Sequence, residues 1–385
     1  MTDKRKKANL QAETTDRANS YEVASQWKLM AWKFKKHKAA MIAVPILIIM
    51  YLICVACEFF APSLPLERYK DYKDCAPTKI HLWDADGNFQ GLFVYGFERY
   101  TDPYTFRKSY VENDEIIKLG FFVRGSEYKL FGLSALKSDI HFFGPVLEEG
   151  DKPGDKTFFL MGTDSLGRDV FSRVLSGGRI SLTFCLLSVT FTVFIGLTLG
   201  GLSGYLGGVV DTIVQRSIDL IMSIPGIPLW MALAAALPST MSNLKKYFLM
   251  SLIMSLIGWT GLARVTRGKI LSLREEDFVI AARLSGSSHL RVIFKHMLPS
   301  FMSYIIVSVT GSIPGTILGE TTLSFLGLGL QAPTVSWGTL LQDCQTVDAM
   351  AATPWLLFPA AFIIVTVLCF CFMGDGMRDA ADPYK

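Results

Sequence analysis

The sequence predicts an all-α polytopic membrane protein with six transmembrane helices and an α+β or β-rich extracytoplasmic insert between helices 1 and 2. Three observations carry this. Hydrophobic residues make up 50% of the 385 residues and charged residues only 19%, against roughly 25% charged in an ordinary soluble domain. The apolar residues gather into six long runs, which excludes a soluble enzyme and a disordered chain. Between the first two runs, residues 61–160 are polar, aromatic and rich in turn residues. The net charge of +4 is too near balance to suggest a nucleic-acid partner, and seven cysteines without a paired framework exclude a disulfide-stapled secreted domain.

The chain opens with a basic cytoplasmic segment, residues 1–38, holding ten Lys or Arg, among them Lys4, Arg5, Lys6, Lys7, Lys33, Lys35, Lys36 and Lys38. It is too long for a signal peptide and lacks a clear small-residue cleavage pattern. The first apolar run, 39–60, is of spanning length, about 20 residues, within which every backbone amide must bond inside its own segment. Its Cys54-Val55-Ala56-Cys57 spacing reads as small packing residues, since no second CxxC or His pair completes a zinc ligand set.

The insert, 61–160, is long enough for a small core. It contains turn signals at Asp86-Gly87-Asn88, Gly150-Asp151 and Pro153-Gly154 and short apolar runs at His81-Leu82-Trp83 and Phe121-Phe122-Val123, which suggest strands. It carries no metal cluster, nucleophile elbow or phosphate loop. A membrane-bound enzyme would need such a constellation, and the scattered His81 and His141 do not supply it.

Residues 161–385 hold the other five runs, at about 180–199, 213–237, 247–262, 301–318 and 354–372, the third and fifth spans being interrupted by Pro225, Pro228 and Pro314. Threading six spans from a cytoplasmic N-terminus puts the 263–298 loop and the C-terminus inside. The charges agree: seven Lys or Arg lie in 263–298 and two in 374–385, against only Lys245 and Lys246 in the two short outside loops. Cys75 and Cys344 both fall outside, where they could pair, though their spacing does not demand it. Leu175-Ser176-Gly177-Gly178-Arg179 almost spells an ATPase signature, but the chain lacks a glycine-rich loop ending in Gly-Lys-Ser/Thr, so no catalytic, cofactor or metal site is expected in it.

The inside loop carries the sharpest pattern. Arg274-Glu275-Glu276-Asp277-Phe278-Val279-Ile280-Ala281-Ala282-Arg283-Leu284-Ser285-Gly286 opens with acids and closes with glycine, a capped, charge-complemented helix at about 275–290. Ala281, Ala282 and Gly286 give it a surface with little side chain, suited to close approach by another protein. Ala-Ala, three residues, Gly, nine residues and then the run to Leu298-Pro299 resembles the EAA loop of ABC importer permeases, the helix that docks in a groove of the ATPase subunit. Ile280 stands where the general pattern has Glu and His296 where it has an aliphatic residue. Peptide-importer permeases often lack that Glu.

Further segments resemble the C-type subunits of dipeptide and oligopeptide permeases. They are Gly162-Thr163-Asp164-Ser165-Leu166-Gly167-Arg168-Asp169 with Arg179-Ile180-Ser181-Leu182, Thr322 to Gly329 with Ser336-Trp337-Gly338, and the ending Gly374-Asp375-Gly376-Met377-Arg378-Asp379. The resemblance covers the first span and everything from about 160 onward. It implies a type I ABC importer permease fold in the inner membrane, a homologous second permease, two ATPase partners that bind ATP and Mg, and an extracytoplasmic solute-binding protein. It also implies ATPase-coupling residues at Asp277, Ala281, Ala282 and Gly286, with Arg283, Arg291 and Lys295 as rim contacts. For the translocation path the candidates are Glu320, which shows no obvious local partner, and Arg216 and Asp219, which are spaced to pair with each other. A secondary transporter or channel without ATPases would predict inverted repeats and intramembrane relays, and neither is present.

Overall fold

A computed structural model of the chain describes residues 26–101, 103–104, 108–132, 135–148, 150–238 and 240–382; the basic cluster Lys4–Lys7 lies outside these. Helix α1 (Gln26–Lys36) is followed by α2 (Lys38–Val55), whose start is capped by His37, the Nδ1 atom accepting from the Ala40 amide at 3.1 Å. At 1.5 Å per residue the 18 residues of α2 reach about 27 Å, close to the hydrocarbon thickness. The chain breaks at Ala56 and resumes as the single turn α3 (Cys57–Phe60), so the first predicted span, 39–60, is a long helix to Val55 followed by one separate turn.

The insert is built on one antiparallel sheet in simple chain order, β1 (His81–Trp83), β2 (Phe89–Thr101), β3 (Lys108–Lys129) and β4 (Lys137–Pro145). The long β3 pairs with β2 through its first half (Tyr95 opposite Ile116) and with β4 through its second (Phe121 opposite Phe143, Val123 opposite His141). Val94, Ile117, Leu119 and Phe158 form its small core. His141, fully buried, ties the sheet to the end of the first span: its ring nitrogens lie 2.6 Å from the Ala61 carbonyl oxygen and 3.0 Å from that of Ser126.

Among the described residues, five helical runs have the length and composition to cross a membrane: α2, α4 (Val170–Leu206), α7 (Asn243–Leu273), the run His289–Phe325 and the run Pro354–Ala381. The third predicted span, 213–237, is broken where Pro225 and Pro228 interrupt it, and counts as a sixth span only if the bent pair is taken as one. It is two helices, α5 (Gly208–Met222) and α6 (Gly226–Ala235), bent by 90°. Pro225 and Pro228 remove two backbone donors within four residues and Gly226 adds freedom between them, which a single proline does not match. Pro314 accordingly sits inside the unbroken helix α9 (Met302–Phe325). Helix α4 is 37 residues long, far beyond the apolar run 180–199, because its first turns are buried in protein.

Close helix packing explains several glycines. Gly196, Gly200 and Gly204, four residues apart on α4, face α7, and a Cβ on Gly200 would come within 2.5 Å of the Ala263 carbonyl oxygen. The Leu-Ser-Gly-Gly run is a packing site of the same kind, with Gly178 against Cys54 Sγ and the Trp337 ring. The main core joins α2, α4, α9, the short helix α10 (Trp337–Leu341) and α12 (Phe358–Ala381), where α11 is Val347–Ala352. All seven cysteines are free thiols, so Cys75 and Cys344 do not pair. Burial pushes the Cys75 thiol up to about 12.

Candidate coupling surface and candidate path

Of the helix expected at about 275–290, the structure forms Asp277–Leu284, closed at Gly286, and a separate turn begins at His289. Glu276 stands at the N-terminus of α8 (Asp277–Leu284), with Glu275 before it and Asp277 in the first turn, and Arg283 lies in the last turn, each complementing the helix dipole. Gly286 has φ +76°, and its amide donates to the Arg283 carbonyl at 2.9 Å while the Ser287 amide donates to that of Ala282 at 3.2 Å. These two bonds are the Schellman closure, which glycine provides without strain. A Cβ on Gly286 would meet nothing within 4 Å, so the requirement there is conformational.

Packing sorts the remaining residues of α8 into two faces. Val279 and Ala282 turn inward onto Ile270, Val292, Ile293 and Met297, a cluster that seats α8 against the ends of α4 and α7. Asp277, Ala281 and Leu284 are exposed, Leu284 to 84%, with Phe278 and Ile280 about 40% exposed beside them. Ala282 is thus a seat residue and not part of the outer surface. Arg283 also turns back: its Nε donates to the Tyr205 hydroxyl at 3.1 Å and its guanidinium lies 4.9 Å from the centre of that ring. Arg291 and Lys295 are exposed, one turn apart. Sequence reasoning missed Leu284 and Phe278, although large apolar residues on a helix otherwise expected in water were a readable signal.

The bent pair α5–α6 is tied down by charges the sequence did not pair. Arg267 of α7 grips Asp211 of α5 with two donors, each 2.5 Å from an oxygen, and Ser203 of α4 donates to the same carboxylate at 2.5 Å. Arg216 and Asp219 do meet at 3.5 Å, but the closer partner of Asp219 is Arg264 at 2.6 Å. Glu320 has partners from across the bundle as well as from its own helix. It is buried to 3% exposure, accepting from Ser181 of α4 at 3.1 Å and from Ser324 at 2.8 Å, while Ser181 in turn accepts from the Trp337 amide. Glu320 faces packed protein in this conformation. A cleft of about 1080 Å³ opens instead between α9 and α12, lined by Tyr304, Gly311, Pro314, Gly374 and Asp375 among others.

The 162–169 motif forms a third site. Gly167 (φ +73°) packs so closely on the chain that follows the first span that a Cβ would fall 2.1 Å from the Tyr69 carbonyl oxygen. Asp164, fully buried, accepts from the Leu166 and Arg168 amides, from Arg168 Nε at 2.7 Å and from Arg173, which also lies 3.8 Å from Asp343 in the loop after α10. Asp169 caps α4 through the Ser172 amide at 2.8 Å, and burial pushes its carboxyl up to about 6 despite that bond. The 162–173 stretch is thus joined to Asp343 by a charge network and to the chain at Tyr69 by the close backbone approach of Gly167, which no linear spacing could reveal.

Comparison with known proteins gives two matches along the chain. Residues 196–384 match the family model described as binding-protein-dependent transport system inner membrane component, and residues 25–77 match the N-terminal TM domain of oligopeptide transport permease C. The sheet lies between the two matches. The oligopeptide transport system permease protein OppC of Bacillus subtilis (strain 168) is 38% identical over 238 residues, 62% of this chain and 75% of that protein. The protein of the same name from Haemophilus influenzae is 40% identical over 232 residues, 60% and 72% of the two chains. The dipeptide transport system permease protein DppC of Bacillus subtilis is 37% identical over 224 residues, 58% and 68%.

Proposed function

The chain belongs to the family of OppC- and DppC-like peptide transport permeases, and from that premise we propose that it is the membrane subunit of an ATP-driven peptide importer, forming half of the path with a second homologous permease. The observation that carries the reading is the identity of 37–40% shared with three peptide permeases over most of their length. It is a multi-pass membrane protein, and its N- and C-termini are assigned to the cytoplasm because basic residues concentrate in 1–38 and 263–298.

Function then follows from how α8 is held. The Val279 and Ala282 face seats it on the 292–297 segment in a cluster shared with Tyr205 of α4 and Ile270 of α7, and the Asp277, Ala281 and Leu284 face is left for an ATPase subunit. A push on that face passes through the seat to the α4–α7 pair, and so to the bent α5–α6 segment through Arg267 and Asp211. Closure of the two ATPases on ATP and Mg would thereby shift the bundle between inward-open and outward-open states. Residues 61–160 and the 323–353 loop are assigned to the opposite side, where a solute-binding protein would deliver cargo.

The test is co-purification in mild detergent with and without Ala281→Trp, an exposed position where bulk obstructs docking without disturbing the seat. Wild type is expected to carry an ATPase and a second permease, and the variant to keep the permease and lose the ATPase. A folded wild-type chain that emerges alone, or a variant that keeps its ATPase, refutes the reading.

A further inference from the structure

The sheet carries an apolar end that the transport reading does not use. Phe121 and Phe122 are consecutive residues of β3, yet both are exposed, to 58% and 65%. In a regular strand one would point to each face. Phe122 has φ +56°, a left-handed conformation uncommon for a bulky residue, and with it both rings lie against Phe142, at centroid distances of 5.6 and 5.8 Å. Phe59 and Phe60 of α3 complete the group, at 5.9 and 5.3 Å from Phe142, and Phe59 also lies 6.2 Å from Phe122.

This aromatic group sits where the first span leaves the hydrocarbon. Helix α2 is exposed along Ile42, Ile49 and Leu52, and its last carbonyls, Cys54 and Val55, accept from Arg179, whose guanidinium also pairs with Glu58. An Arg–Glu pair closing an apolar helix marks the boundary with water, and Phe59 follows it at once. In the other direction β3 turns from apolar to charged: Arg124 is 85% exposed, and Glu127 pairs with Lys137 at 2.9 Å. At about 3.3 Å per residue the strand therefore climbs from an apolar layer into water within roughly 16 Å.

We propose that Phe121 and Phe122 are an interfacial anchor, inserted into the lipid leaflet at which the first span ends, and that they hold the sheet against the bilayer. The occupant is lipid and not protein because the patch continues the exposed stripe of α2 past an ion pair that stands at headgroup level. The anchor requires only that α2 spans the membrane, whichever side the sheet faces and whether or not an ATPase docks.

The experiment places the photoreactive analogue p-benzoylphenylalanine at Phe122, and separately at Glu127, in the full chain within its assembled complex in phospholipid nanodiscs. Illumination should give a chain carrying the mass of one phospholipid at position 122, several-fold above the level at position 127. Size exclusion before illumination confirms that both variants are folded. Cross-linking of position 122 to another protein subunit, or lipid capture no greater than at 127, overturns the proposal.

Discussion

Gly200→Ala tests the contact on which the coupling surface stands. The new Cβ would lie 2.5 Å from the Ala263 carbonyl oxygen and 2.8 Å from its Cα, both backbone atoms of α7, where ordinary contact begins at 3.4 Å. The two helices must part by about 0.9 Å at that point, and overpacking of this kind costs about 3 kcal/mol at its upper range. Alanine in a helix recovers roughly 0.5–1 kcal/mol relative to glycine, so the net loss is about 2 kcal/mol. Gly261→Ala is the matched control, a glycine of α7 with nothing within 4 Å of its added Cβ, for which the same propensity term predicts a gain of about 0.5–1 kcal/mol. Thermal aggregation in detergent, followed by size exclusion, should show Gly200→Ala less stable than wild type and Gly261→Ala equal to it or better. Because α4 and α7 seat α8, Gly200→Ala should also retain less ATPase on purification. Equal behaviour of the two variants would refute the close-packing argument.

Two further outcomes follow from the same geometry. Arg283→Ala removes the hydrogen bond and ring contact to Tyr205, worth about 1–2 kcal/mol together at an exposed guanidinium, and should lower cargo-stimulated ATPase turnover of the complex. Tyr205→Phe should reproduce only the hydrogen-bond part, and if Arg283→Ala leaves turnover intact the residue does not position α8. Asp169 predicts a pH effect: burial raises its folded carboxyl to about 6, above the ordinary value near 3.9, so the folded chain holds the proton more tightly. Its contribution is fully present below about pH 4 and is lost as pH rises through about 6, by roughly 2–3 kcal/mol. Asp169→Asn keeps the cap on Ser172 and should gain stability relative to wild type across that window, whereas an unchanged difference between pH 4.5 and 7 would contradict it.

The sequence by itself determined the membrane class, the number of apolar segments and the presence of a short helix within 275–290, because each of these depends on local quantities. Length and apolarity decide whether a run can cross lipid, and acids before Asp277 with Gly286 after Leu284 fix both helix ends through backbone bonds that span only five residues. The family resemblance was legible for a related reason, since the motifs at 162–169, 322–338 and 374–379 are contiguous. What those motifs do was not. Arg173 meets Asp343, Glu320 meets Ser181, and Asp211 meets Arg267 only after segments distant in sequence are packed together. The same holds for the direction of side chains: Ala282 and Ala281 are identical and adjacent, yet one is seated and the other exposed, because a helix turns 100° per residue and only a neighbour defines which side is inside. The 90° bend at Pro225 and the bringing of Phe122 to the end of the first span were likewise decided by tertiary structure. Proline permits a break without setting its angle, and strand register depends on partners that sequence spacing does not name.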